Sequence, residues 1–149
     1  MRVKYVKQES NGCAIACIAM VLNKTYEEAY ALAQVPFEFG GCTGLTMASV
    51  VDILGDQGYT CRQLSAFNHS NYTYRAPWPD KPFAPIHVVF AYIKGTVPGD
   101  GVRCHAVIML KNGRIYDPSV PERTTLEDFG YVAEVVGFWP PKKWWQVWR

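Results

Sequence analysis

No apolar run in the chain is long enough to cross a bilayer: the longest, Cys13 to Leu22, falls well short of the roughly 20 residues a spanning helix needs. No such run directly follows the basic residues Arg2, Lys4 and Lys7, so nothing there reads as a signal peptide, and a cytoplasmic protein is expected. Charge of neither sign dominates. Lys and Arg total 15 against 13 Asp and Glu, a net charge of +2, which gives no strong pull toward nucleic acid or an anionic membrane. The 5 cysteines are an odd number without framework spacing, so a disulfide scaffold is not expected, and no CxxC pair or neighbouring histidine suggests zinc. No metal or cofactor is therefore expected. With 12 Gly and 10 Pro scattered aperiodically, collagen-like and low-complexity architectures are excluded.

What remains is 149 residues, 49% hydrophobic and 19% charged, the composition of a chain that folds around one core. No repeat or linker divides it, so residues 1–149 are expected to form one domain. Cys13 to Leu22 is apolar on every side, and its Ala, Leu and Met content favours helix over strand, which predicts a helix buried on every side. Thr25 and Glu28 have capping-box spacing and open a second helix to about Gln34, before Pro36. Thr46 caps a third, Met47 to Gln57, with Val50, Val51 and Leu54 on one side and Gly58 at its end. Strand-like segments follow: Tyr59 to Leu64, Pro85 to Ile93, His105 to Leu110, Arg114 to Asp117 and, after a helical turn at Thr124 to Phe129, Tyr131 to Phe138. Helices ahead of a mostly antiparallel sheet make the fold class α+β. The Gly40 to Gly44 and Phe67 to Pro82 stretches read as loops suited to walling a cleft.

Cys13 opens the buried helix, where free N–H groups and the positive end of the helix dipole favour a thiolate. A nucleophilic thiolate needs a base and the base needs an orienting group. His105 begins one strand and Asp117 ends the next. Whether they meet depends on the hairpin between them. A two-residue turn would pair Ile108 with Asp117 and put the carboxylate on the wrong face; a three-residue loop, Lys111-Asn-Gly113, pairs Val107 with Asp117 and makes His105 its diagonal neighbour, about 7–8 Å away. Cys17, one turn from Cys13, reads as a core residue, as does His87 in its alternating strand. Cys42 and His69 lie in loops without a motif around them, and Asp52 and Asp56 are expected to face solvent.

Gln8, Cys13-x-x-Ala-Cys-x-Ala-Met20, His105-Ala-Val and Gly113-Arg-Ile-Tyr-Asp-Pro118 together resemble papain-like cysteine peptidases. The resemblance is to the domains that trim double-glycine leader peptides from bacteriocin precursors and to small stand-alone relatives in bacteria and their phages. It implies Cys13 as nucleophile, His105 as base, Asp117 as orienting residue and Gln8 as oxyanion-hole donor. The step from Gln8 to Cys13 is one position shorter than in the family, and Ala14 stands where the family has a glycine, with Gly12 before the cysteine instead.

The expected activity is therefore hydrolysis of peptide or isopeptide bonds through a thioester acyl-enzyme, with a peptide or protein substrate, in the cytoplasm or, for a phage-encoded protein, that of its host. Amidase, deamidase or acyl-transfer chemistry by the same triad is an alternative. A non-catalytic binding or inhibitor module is another. The end of the chain, Trp139 to Arg149, holds Trp139, Trp144, Trp145 and Trp148 with Lys142 and Lys143. Its rings are expected to cover the back of the sheet, the alternative being a grip on a protein partner.

Overall fold

The computed structural model describes residues 3–9, 12–34, 45–65, 82–93 and 105–142. Three helices come first, α1 (Cys13–Leu22), α2 (Tyr26–Ala33) and α3 (Met47–Asp56). Five strands follow, β1 (Thr60–Ser65), β2 (Ile86–Ile93), β3 (His105–Leu110), β4 (Ile115–Tyr116) and β5 (Phe129–Trp139), with a 3-10 turn at Leu126–Asp128 before the last. The strands form one sheet in the order β1-β5-β2-β3-β4, every pairing antiparallel. This is the expected α+β architecture.

Residues 14 to 21 of α1 are all buried, which is why the segment needs no polar side. The helix packs on β3, α2 and α3. Ile15, Ile18 and Met20 meet Val50 and Leu54 of α3 and Ile86, Val88 and Ile108 of the sheet in one apolar cluster. Each such side chain contributes about 1.5–3 kcal/mol by leaving water. Asn23 ends α1 in the left-handed conformation, φ 55°.

The opposite sheet face is buried too, by a second cluster that includes Val89, Val107, Met109, Ile115 and Val135. Two covered faces explain why β2 runs Val88-Val-Phe-Ala91 without polar alternation. At one end of this face the segment before β2 folds over the sheet. A Cβ on Gly137 would stand 2.5 Å from the Phe83 ring and 2.7 Å from Ala84, so only glycine fits there. His87 lies in this corner, fully buried and satisfied: its Nδ1–H donates to the Met109 carbonyl at 3.0 Å, and its Nε2 accepts from the Ala84 N–H at 3.2 Å. It is the core histidine the strand pattern predicts.

Several boundaries differ from the sequence reading: the helical turn shrinks to Leu126–Asp128 and the last strand begins at Phe129 rather than Tyr131. The last strand continues through Trp139, which pairs with Thr60 and lies beside Phe83, ring centroids 6.1 Å apart, so the tail begins after Trp139 rather than with it. The fourth strand is shorter, and Asp117 stands just beyond it. Residues 143–149, and with them Trp144, Trp145 and Trp148, lie outside the described residues, as do Cys42, His69, Cys104 and most of both loops read as cleft walls.

Candidate active site

The N-terminus of α1 is built to leave its N–H groups open. The helical hydrogen bonds begin with Ala16 N–H donating to the Gly12 carbonyl at 3.0 Å, so the N–H groups of Cys13, Ala14 and Ile15 have no acceptor within the helix. The cap residue is Gly12, with no side chain to accept from them, and the first turn holds no acidic residue. Glycine is required for a steric reason: a Cβ on Gly12 would lie 1.8 Å from the Tyr26 hydroxyl oxygen. Tyr26 of α2 thus presses against the entry to α1, while Gly12 N–H closes a turn onto the Glu9 carbonyl at 2.8 Å.

The hairpin joining β3 to β4 has the three-residue loop that the triad geometry demands. Met109 pairs with Ile115 and Ile108 with Tyr116, a register that continues to Val107 opposite Asp117. Leu110 N–H donates to the Arg114 carbonyl and Gly113 N–H to the Leu110 carbonyl, each at 2.9 Å, and Gly113 takes φ +87°. In consequence His105 Nε2 lies 2.6 Å from Asp117 Oδ1. The Asp117 side chain is fully buried and that of His105 is 12% exposed. The Ala106 N–H, next to His105 at the start of β3, donates to Cys13 Sγ at 3.5 Å, which brings the sulfur within the influence of the His105 side chain. Because Nε2 donates to the carboxylate, the ring nitrogen left for the sulfur is Nδ1.

These contacts set the protonation states. Burial pushes the Cys13 thiol up, but the His105 hydrogen bond and charge and the N–H groups of Ala106 and Ala14 outweigh it, and the pKa falls below the usual cysteine value. For His105 burial favours the neutral ring, yet hydrogen bonds and charge from Asp117 and Cys13 raise its pKa to about 9. Burial raises Asp117, and donation from His105, Ser119 and Val120 holds it below the ordinary carboxylate range. Such a site stabilises a thiolate beside an imidazolium. Cys17 behaves oppositely: fully buried, its thiol is pushed well above the usual value.

The N-terminal segment is stitched to the residues around Asp117. Tyr5 donates its hydroxyl to the Asp117 carbonyl at 2.7 Å, and Gln8 N–H donates to the Pro118 carbonyl at 2.9 Å. Gln8 is half-buried on this segment, five positions before Cys13. Sequence reasoning missed Tyr5, the Ala106 N–H and Arg123, whose Nη1 lies 3.3 Å from Asp117 Oδ2. Only the Asp117-Pro-Ser119 run hinted at a carboxylate folded back on its own backbone. Among the described residues no group of three His, Cys, Asp or Glu is placed to hold a metal. No described helix is long and apolar enough to cross a membrane.

The fold is that of a papain-like cysteine peptidase, helices on a mostly antiparallel sheet. The sequence pattern of the peptidase C39 family matches residues 2–81, and the chain belongs to that family of cysteine peptidases. The match takes in Gln8 and Cys13 and ends before His105. Two solved structures share the fold over 93% of this chain. One is the peptidase domain of Streptococcus ComA, a bi-functional ABC transporter involved in a quorum-sensing pathway (17% identity, 99% of that chain, TM-score 0.58). Another is a double glycine motif protease from an AMS/PCAT transporter, in complex with the leader peptide (16% identity, 92% of that chain, TM-score 0.57). No protein of curated function matches the chain.

Proposed function

We propose that the chain is a leader-peptide hydrolase in which Cys13, His105 and Asp117 form the catalytic triad and Gln8 helps bind the oxyanion. The observation that carries this reading is the 2.6 Å contact from His105 Nε2 to Asp117 Oδ1 with the Cys13 sulfur held 3.5 Å from the N–H of Ala106, the residue after His105. The Cys13 thiolate attacks the scissile carbonyl, and the oxyanion that forms is met by the N–H groups at the start of α1 and by the Gln8 amide. His105 Nδ1–H protonates the leaving amine, giving a thioester on Cys13. The neutral imidazole then takes a proton from water as its oxygen adds to the thioester carbonyl, and the tetrahedral intermediate collapses with cleavage of the C–S bond, releasing the acid product and restoring the Cys13 thiolate beside the His105 imidazolium. Asp117 keeps the ring in the tautomer that presents Nδ1 to sulfur. Loss of the Gln8 donor lowers the rate about 10²–10³-fold if its amide reaches the oxyanion across the shortened spacing.

The substrate class, a peptide with a double-glycine leader junction, rests on the family and on the bound leader peptide in the AMS/PCAT relative. Residues 1–149 acting as one domain in the cytoplasm belong to the same proposal. The test is incubation with a synthetic leader–core peptide, with products and enzyme read by mass spectrometry after acid quench. The expected result is one cut at the double glycine, a transient acyl adduct on Cys13, and neither with Cys13→Ala. Cleavage that survives in Cys13→Ala, or no cleavage by the wild type, contradicts it.

A further inference from the structure

We propose that Arg123 is a positioning residue of this active site, holding the second oxygen of Asp117 and balancing its buried charge so that the carboxylate presents a fixed face to His105. The inference rests on the triad reading above. Asp117 Oδ1 carries three contacts: His105 Nε2 at 2.6 Å, Ser119 N–H at 2.8 Å and Val120 N–H at 3.2 Å. Oδ2 has one partner among the described residues, Arg123 Nη1 at 3.3 Å. A carboxylate anchored through one oxygen alone can turn about its Cβ–Cγ bond, whereas charge-assisted donation to the other fixes its plane. The Arg123 backbone is itself held. Its N–H donates to the Val120 carbonyl at 3.1 Å, and the next residue, Thr124, accepts from Ile115 N–H of β4 at 3.1 Å.

Charge gives the second argument. A thiolate on Cys13, an imidazolium on His105, the Asp117 carboxylate and the Arg123 guanidinium sum to zero; without Arg123 the cluster carries an uncompensated negative charge around a fully buried carboxylate. Tyr5 donates to the Asp117 carbonyl as a neutral group, and the charges of Asp117 and Glu122 are both felt at its hydroxyl. Neither Tyr5 nor Glu122 supplies a cation. The Arg123 side chain stays 27% exposed, so its own charge remains partly hydrated. With Arg123 gone the Asp117 carboxylate acts on the site uncompensated, which makes the thiolate harder to form and the imidazolium easier to keep, so both limbs of a pH profile move to higher pH.

The test is the rate of Cys13 alkylation by iodoacetamide against pH, with the labelled cysteine located by mass spectrometry, for wild type, Arg123→Gln and Arg123→Lys. Circular dichroism checks that each variant is folded. The expected result for Arg123→Gln is an acid limb displaced upward by about half a pH unit or more, with a lower plateau. Arg123→Lys keeps the limb near its wild-type position. In an Asp117→Asn background Arg123→Gln adds no further displacement, because Arg123 acts through the carboxylate. A limb unmoved in Arg123→Gln, or a displacement that persists in the Asp117→Asn background, overturns the inference while the triad stands. Wild-type Cys13 that labels only at the pH of an ordinary thiol overturns the triad reading and this inference with it.

Discussion

The N-termini of α1 and α2 meet where the Tyr26 hydroxyl lies against Gly12, and they are built in opposite ways. At α2, Thr25 Oγ1 accepts from Glu28 N–H and Glu28 Oε1 accepts from Thr25 N–H, both at 3.1 Å, and Glu27 and Glu28 place negative charge on the positive end of the dipole. α3 is capped in the same spirit by Thr46, which accepts from Ser49 N–H at 3.1 Å. α1 has a glycine cap, no acidic residue in its first turn and a cysteine at its first helical position. A side-chain cap contributes about 1 kcal/mol, and α1 forgoes it. Its stability comes from burial along its whole length instead, so its open end is available to stabilise negative charge on sulfur and on a reacting carbonyl. Where a helix is held by its core, its terminus is free to do chemistry.

The largest expected effect separates the two termini outright. Cys13→Ala lowers peptide cleavage by about 10⁴-fold or more while leaving the thermal unfolding midpoint within a few degrees, because its side chain only borders the core, whereas His105→Ala loses as much activity and also stability, since it leaves the buried Asp117 carboxylate without its partner; a collapse of the fold in Cys13→Ala would argue that the α1 terminus is structural. Next comes Gly12→Ala, whose methyl collides with the Tyr26 hydroxyl and is expected to cost about 1–3 kcal/mol. Adding Tyr26→Phe removes the oxygen in the way and should restore part of that loss, measured by urea unfolding. If Gly12→Ala is neutral, Tyr26 does not shape the entry to α1.

Thr25→Ala sharpens the contrast from the other side: about 1 kcal/mol of stability is lost with no change in Cys13 alkylation. The smallest effect is a drift with pH set by His87. Burial lowers its folded pKa below 6.5, so the unfolded chain binds the proton more readily, and stability present above pH 6.5 declines as the pH falls below that value. His105 has the opposite sign. Its pKa of about 9 gives a contribution full below pH 6.5 and lost as the pH rises toward 9. Unfolding midpoints between pH 7 and 5 in the wild type and in His87→Gln check this, the decline being shallower in the variant.

What the sequence shows, it shows through local physics. The composition of Cys13 to Leu22 leads to a buried helix, Thr25 with Glu28 to a capping box, and the Lys111-Asn-Gly113 run to the loop whose register brings His105 to Asp117. What it hides are contacts between distant stretches. Tyr5 reaches Asp117, Gln8 reaches Pro118 and Tyr26 confines Gly12 only once the N-terminal segment lies along the end of β4, and no periodicity encodes that path. Arg123 is hidden for a different reason. It lies close to Asp117 in the chain but in an irregular turn, where a charged residue reads as solvated surface. Trp139 is misplaced by one residue because a strand rich in aromatics continues into the aromatic tail without a change of composition.

The most direct test of this account is titration of the Cys13 thiolate by its ultraviolet absorbance, taken as wild type minus Cys13→Ser, with the same difference recorded in a His105→Ala background. The account predicts ionisation below the ordinary cysteine range, moved upward when His105 is removed. Ionisation at or above the ordinary range, unchanged by His105→Ala, would contradict it and make Cys13 a buried thiol of the same kind as Cys17.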